Sequence, residues 1–237
     1  MPSELSIRNM RAGYASQIVL RDLSLEVERG SLTALIGPNG HGKTTLLRAI
    51  SGLVRPRAGE IHLAGRRIDG LRPEAIVANG VVHVPQGDLL FPEMTVLENL
   101  RMGSYLPAAA RHERQRLDEV FALLPKLRDR RHQIASTLSG GERRMVGIGR
   151  GLMASGRILM LDEPSLGLAP IVIEQIYEVL AALRRTGLSV ILVEENAMRA
   201  AGIADRVHLL DHGRLIWAGA GAELAGRPEL LETYLGA

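Results

Sequence analysis

The sequence predicts an α/β fold: a parallel-sheet core with a flanking antiparallel β subdomain and an α-helical subdomain. Three observations carry that expectation. Short apolar runs at Leu32 to Ile36, Val81 to Val84, Ile158 to Leu161 and Val190 to Val193 each give way to polar or Gly-rich residues. Parallel strands buried on both faces have this pattern, and they deliver functional groups at their carboxyl ends. Leu5 to Arg8, Leu23 to Val27 and Gly59 to Leu63 alternate instead, as antiparallel strands with one wet face do. Between Phe91 and Met153 the strand signal vanishes, and Val96 to Met102, Arg111 to Leu124 and Glu142 to Met153 read as helices.

Length and composition bound the rest. A chain of 237 residues has room for about one domain with an insert. The expected division is one unit, 1–237, with core and β subdomain at 1–88 and 154–237 and a helical subdomain at 89–153. With 46% hydrophobic and 23% charged residues the chain is not a disordered one. No cysteine is present, which excludes disulfides, thiolate metal sites and cysteine nucleophiles. Of 29 basic residues only Lys43 and Lys126 are lysines, the net charge is +3, and the arginine pairs are scattered. Nothing there forms a nucleic-acid-binding block, and no nucleic-acid partner is expected. No apolar run approaches the ~18 residues of a membrane span. Met1 to Tyr14 carries Glu4, Arg8 and Arg11, unlike a signal peptide. A soluble chain is expected.

The first functional element is Gly37-Pro38-Asn39-Gly40-His41-Gly42-Lys43-Thr44-Thr45, between the Leu32 to Ile36 strand and an apolar helix from Leu46. Glycines let successive backbone N–H groups converge on phosphate oxygens, and the helix N-terminus adds partial positive charge. Lys43 can reach the β- and γ-phosphates, and the Thr44 hydroxyl can ligate Mg²⁺. Average composition produces this spacing in roughly 1% of such chains or fewer, so a phosphate loop is the reading. His41 is expected to be a solvent-facing loop side chain.

The second element is Leu138-Ser139-Gly140-Gly141-Glu142. Ser139 and Glu142 have capping-box spacing, which explains those two residues without a ligand. The doubled glycine exceeds what a cap needs and suits close approach of a phosphate. A second phosphate-binding helix start, about 95 residues after Thr44, suggests two half-sites completed by dimerisation. The third element is the strand end Asp162-Glu163-Pro164. Alone it reads as a turn. Downstream of a phosphate loop, Asp162 is placed to hold the Mg²⁺ shell and Glu163 to polarise the attacking water.

These three elements, in this order, resemble the nucleotide-binding subunit of ABC transporters, and the similarity covers essentially the whole chain. The resemblance implies a P-loop NTPase (RecA-like) core that uses ATP and Mg²⁺. It implies that two subunits sandwich two ATP molecules, each between one phosphate loop and the partner's Ser139–Glu142 helix start. Tyr14 matches the aromatic that stacks on adenine; a packed strand-end tyrosine is the other reading. Gln86 matches the glutamine that touches Mg²⁺ and links core to helical insert. A finer likeness is to the LivF-like ATPases of branched-chain amino-acid importers. It is carried by Phe91 to Leu100, Glu163 to Pro170 and the ending Tyr234-Leu235-Gly236. Urea-import ATPases share much of it, and many of the amino-acid group carry Glu where this chain has Gln86.

Two departures from the wider family stand out. Glu195 occupies the place of a switch histidine that contacts the γ-phosphate, where the LivF-like group commonly has Gln. There it would repel the phosphate unless Mg²⁺ and Lys43 offset it or the side chain points away. Leu168 replaces an Asp that signals across the dimer. Asn196 reads as the N-cap of the next helix. The resemblance implies a second ATPase subunit (a heterodimer, or a homodimer in isolation), two integral-membrane permeases and, through them, a periplasmic or extracellular solute-binding protein. It places the chain at the cytoplasmic face of the cell membrane. The expected function is ATP hydrolysis that drives uptake of branched-chain or other hydrophobic amino acids. The alternatives are a urea or other small-solute importer, or a weakly hydrolysing nucleotide-sensing subunit. Chromosome and repair ATPases need long coiled coils between the two motifs, and the spacing here leaves no room for them.

Overall fold

The computed structural model describes residues 3–87, 89–227, 229, 230 and 232; the Tyr234-Leu235-Gly236 string lies outside them. In chain order the elements are β1 (Ser3–Tyr14), β2 (Gln17–Glu28), β3 (Leu32–Ile36), α1 (Lys43–Ile50), β4 (Ala58–Leu63), β5 (Arg66–Arg67), α2 (Pro73–Ala78) and β6 (Val81–Val84). Then come α3 (Val96–Arg101), α4 (Pro107–Ala110), α5 (Glu113–Leu123), α6 (Pro125–Asp129) and α7 (Gly140–Met153). The chain closes with β7 (Ile158–Asp162), α8 (Pro170–Arg185), β8 (Ser189–Val193), α9 (Ala197–Ile203), β9 (Arg206–Asp211), β10 (Arg214–Gly219) and α10 (Gly221–Ala225).

The two sheets follow from the two patterns in the sequence. Alternating β1, β2 and β4, with β5, form an antiparallel sheet in the order β2-β1-β4-β5. The continuous apolar runs form the second sheet, β10-β9-β3-β8-β7-β6, parallel apart from edge strand β10. Every residue of β3, β7 and β8 is buried, which is why these strands show no alternation.

Side chains on the parallel strands alternate between two apolar layers. Ile158, Met160, Ile191 and Val193 pack with α1 and the antiparallel sheet. Leu159, Leu161, Val190 and Leu192 face the other way, onto α8 and onto Val96, Leu100, Val120, Phe121, Val146 and Ile148 of the helical segment. That segment therefore has no separate core. It shares one with a face of the sheet.

Candidate functional site

Three strand ends converge where β3, β7 and β8 release the chain. The phosphate loop leaves β3 at Gly37, whose φ is +146°, and a Cβ built there would lie 2.1 Å from the Leu210 carbonyl oxygen. Among the described residues no side chain caps α1, so its first-turn N–H groups are not claimed by a capping residue. Lys43 is buried, with its ammonium donating to Gly37 O at 2.8 Å, Pro38 O at 3.2 Å and Asn39 Oδ1 at 3.2 Å. The Glu163 carboxylate lies 3.7 Å from it.

Asp162 ends β7 and is also buried. Thr44 Oγ1 donates to Asp162 Oδ1 at 3.3 Å, whereas buried Asp162 Oδ2 has no hydrogen-bond partner among the described residues. A buried, unpaired carboxylate oxygen beside a threonine hydroxyl is the donor set a hard oxygen-seeking dication takes. The residues present therefore fit Mg²⁺. Burial pushes the Asp162 carboxyl up, against the pull of Thr44, Arg48, Lys43 and Arg144. Glu163 is pushed up by burial first; Lys43 opposes that, and the charges of Asp162 and Glu195 add to it. Its backbone sits at φ +48°, a left-handed conformation, fixed by its N–H donating to Val193 O at 2.9 Å. Backbone strain of this kind collects at functional positions.

Gln86, just beyond β6, donates through Nε2 to Glu163 Oε2 at 3.1 Å. Arg144 of α7 in turn donates to Gly87 O at 2.9 Å, and Arg150 to Leu89 O at 2.8 Å. The segment carrying Gln86 is thus tied to the helix that opens at Ser139. Glu195 does face the site: its Oε1 accepts from Asn39 Nδ2, and Asn39 in turn holds Lys43. A pocket of about 310 Å³ is lined by Asn39, Gly40, Gly42, Lys43, Thr44, Thr45, Gln86, Glu163, Leu166 and Glu195.

Other expected site residues lie outside this pocket. Tyr14 is 41% exposed, its hydroxyl accepting from Arg48 Nη1 at 3.1 Å. Ser139 and Glu142 form the capping box: the Ser139 N–H and hydroxyl both donate to Glu142 Oε2 at 2.9 Å. A Cβ at Gly140 would make only ordinary van der Waals contact, with Leu168 Cδ2 nearest at 3.8 Å. At Gly141 a Cβ would lie 2.5 Å from Val172 Cγ1 of α8. Packing against α8 therefore explains the second glycine, which the sequence pattern attributes to a phosphate. Gly141→Ala is expected to cost about 1–3 kcal/mol by overpacking. A thermal melt should show the loss, and Val172→Ala in the same chain should recover most of it. His41 is also corrected. Its ring is 22% exposed and turns to Asp211 and His212 rather than to solvent.

Sequence reasoning misses Glu194. It is buried at the end of β8 and accepts from the Ser165 hydroxyl at 2.8 Å and the Ser165 N–H at 3.3 Å. It thereby pins the loop that follows Glu163. No local pattern signals this, because the partners lie 29 positions apart.

Comparison with known proteins agrees with this geometry. Residues 20–166 match the ABC transporter family. The chain is 42% identical over 232 residues to the high-affinity branched-chain amino acid transport ATP-binding protein BraG of Pseudomonas aeruginosa, covering 98% of this chain and 99% of that one. It is 37% identical to the probable branched-chain amino acid transport ATP-binding protein LivF of Archaeoglobus fulgidus, with 96% of each covered. It is 34% identical to the lipopolysaccharide export system ATP-binding protein LptB of Acidithiobacillus ferridurans, over 100% of this chain and 98% of that one. A solved nucleotide-free ATP-binding cassette of an ABC transporter superposes with a TM-score of 0.84 at 27% identity, covering 97% of this chain and 98% of that one. A cassette solved in its ADP conformation gives 0.85 at 27% identity, with 98% of each covered. With a phosphate loop, an Asp-Glu strand end and these relatives along its full length, the chain belongs to the ABC transporter family, as an ATP-binding and ATP-hydrolysing subunit.

Proposed function

We propose that this chain powers a branched-chain amino-acid importer from the cytoplasmic face of the membrane, paired with a second ATPase subunit and two permeases that receive solute from a binding protein. The 42% identity to the BraG protein along nearly the whole of both chains supports this best. Among the described residues no helix is long and apolar enough to cross a membrane, in keeping with attachment through partners. Uptake of labelled leucine and of urea by the reconstituted complex tests the cargo. Transport of urea with no transport of leucine would replace this reading with the small-solute one.

At the site, Lys43 exchanges its loop carbonyls for β- and γ-phosphate oxygens, and the loop N–H groups orient the phosphates. Thr44 and Asp162, with Gln86 beside them, would hold Mg²⁺, which supplies charge neutralisation on the phosphates when bound. Glu163 accepts the proton of the attacking water, and its raised proton affinity suits it to that task near neutral pH. Gln86 positions the Glu163 carboxylate and couples it through Arg144 to α7. Tyr14 stacks on adenine. Ser139, Gly140 and the N-terminus of α7 complete the site of the partner subunit. The segment at 89–153 moves as the part that reaches the permease.

Glu195 tunes the site. Its carboxylate adds repulsion toward the γ-phosphate, up to about 4 kcal/mol at 4 Å and an effective dielectric near 20. The Asn39 contact holds it in place to do so. Glu195→Gln is expected to tighten ATP binding severalfold and to shift the acid limb of the turnover–pH profile downward, because Glu163 loses a neighbouring negative charge. Titration with ATP and turnover measured across pH in the complex check both. Unchanged values in Glu195→Gln and Glu195→His alike would remove Glu195 from the reaction.

A further inference from the structure

We propose that His41, Asp211 and His212 form a binding site for a first-row transition-metal dication, with zinc as the reference ion. One ligand atom from each residue lies within 4.8 Å of the other two, and among the described residues this is the one place where three such side chains converge. His41 Nδ1 is 2.7 Å from Asp211 Oδ1, and His212 Nε2 is 4.0 Å from the same oxygen. The two imidazoles stack face to face, with ring centroids 4.2 Å apart and planes inclined by 27°. Two imidazoles and a carboxylate leave one position of a tetrahedral zinc site open. Imidazole donors also favour late first-row metals over Mg²⁺, which prefers oxygen. The site is therefore chemically distinct from the oxygen donors at Thr44 and Asp162.

The backbone prearranges two of the three ligands. Gly213 N–H donates to His41 O at 3.0 Å, and Arg21 N–H donates to Gly213 O at 2.9 Å. At Gly213, φ is +78° and a Cβ would meet Val19 O at 1.7 Å, so the hairpin turn is wedged against β2. His41 and Asp211 are 22% and 20% exposed, whereas His212 is 78% exposed. Zinc bond lengths of about 2.0–2.2 Å to nitrogen or oxygen place two ligand atoms of a tetrahedral ion roughly 3.3 Å or more apart, so binding opens the 2.7 Å His41–Asp211 contact and turns the exposed His212 ring inward.

His41 Nδ1 also faces the His212 N–H at 3.3 Å as well as the Asp211 oxygen. One ring nitrogen can serve a donor or an acceptor, not both. A cation that takes the carboxylate settles that competition. Because His41 lies inside the phosphate loop, an occupied site would fasten the loop to the β9–β10 hairpin.

The test is zinc titration of the full-length, nucleotide-free chain, by calorimetry and by competition with a chelating dye. One equivalent should bind, and His212→Ala should weaken binding at least about tenfold, since loss of even an outer-shell partner costs 10–100-fold. His62→Ala, on the other sheet beside Glu60, should keep the wild-type affinity. Zinc should also raise the melting temperature of the wild-type chain, through binding to the native state, and not that of His212→Ala. Substoichiometric binding, equal affinity in wild type and His212→Ala, or loss of binding in His62→Ala would each overturn the assignment. Asp211→Asn provides a second arm. It too should lose zinc, and full retention there would equally overturn it.

Discussion

Glu163→Gln in the assembled transporter is expected to bind ATP and to turn it over about 10²–10⁴-fold more slowly, the usual contribution of a positioned general base. The substitution keeps the shape of the side chain and removes its negative charge together with its ability to take a proton. Single-turnover hydrolysis measured beside ATP affinity separates the two effects, and full turnover in the variant would show that another group is the base. The same change carries a stability signature of opposite sign. The folded-state proton affinity of Glu163 is raised, with burial the leading cause. Its carboxyl thus stabilises the fold fully below the ordinary glutamate pKa of about 4.3, and that contribution is lost as pH rises through the raised value. At pH 7 the wild-type chain holds a disfavoured charge that Gln does not. Nucleotide-free Glu163→Gln should therefore melt higher than wild type at neutral pH, with the gap closing under acid. Gain of stability with loss of activity is the exchange expected where a site is built against folding preference.

Lys43→Ala is expected to weaken ATP binding about tenfold to a hundredfold, because one hydrogen bond involving a charged group contributes about 1.5–3 kcal/mol and each 1.4 kcal/mol is tenfold in affinity. The loss has two sources. The phosphates and the loop acceptors Gly37 O, Pro38 O and Asn39 Oδ1 lose the ammonium they compete for, and the loop loses the buried side-chain volume of Lys43. Lys43→Met separates them, since it keeps most of the side-chain volume that packs beneath the loop. Equal loss of ATP affinity in both variants assigns the effect to charge. Affinity restored in Lys43→Met would assign it to packing instead.

Much of this molecule is legible in its sequence where one residue pattern has one structural outcome. The four apolar runs become β3, β6, β7 and β8 within a residue of their expected ends, because strands buried on both faces are dominated by apolar residues and the polar and glycine residues concentrate where they leave the sheet. The caps at Ser139 and Asn196 are legible for a similar local reason, and both side chains accept the N–H three residues ahead. β1 and β2 run to twelve residues each, well beyond the stretches that alternate. Irregular register and left-handed residues at Asn9 and Asp22 break the alternation without ending the strands. β9 hides differently. It pairs parallel with β3 while forming a hairpin with β10, and its buried His208 interrupts the apolar run.

In the site, the phosphate loop and the Asp162–Glu163 strand end declare themselves through contiguous residues. The contacts between Glu195 and Asn39, Glu194 and Ser165, and Arg144 and Gly87 do not. Each joins segments far apart in the chain, and each depends on where a long side chain points after folding.

The core shared by the helical segment and one face of the parallel sheet has a calorimetric consequence. If nucleotide binding tilts that segment away from the sheet, Val82, Val84, Leu159 and their helical partners meet water, and the heat capacity of the complex rises. If the helices instead slide across the sheet with their apolar surface covered, as in shear motion, the heat capacity hardly changes. Measuring the enthalpy of ATP binding to Glu163→Gln at several temperatures yields that difference directly. A slope near zero would identify the helical segment as a slider bearing rather than a hinged arm.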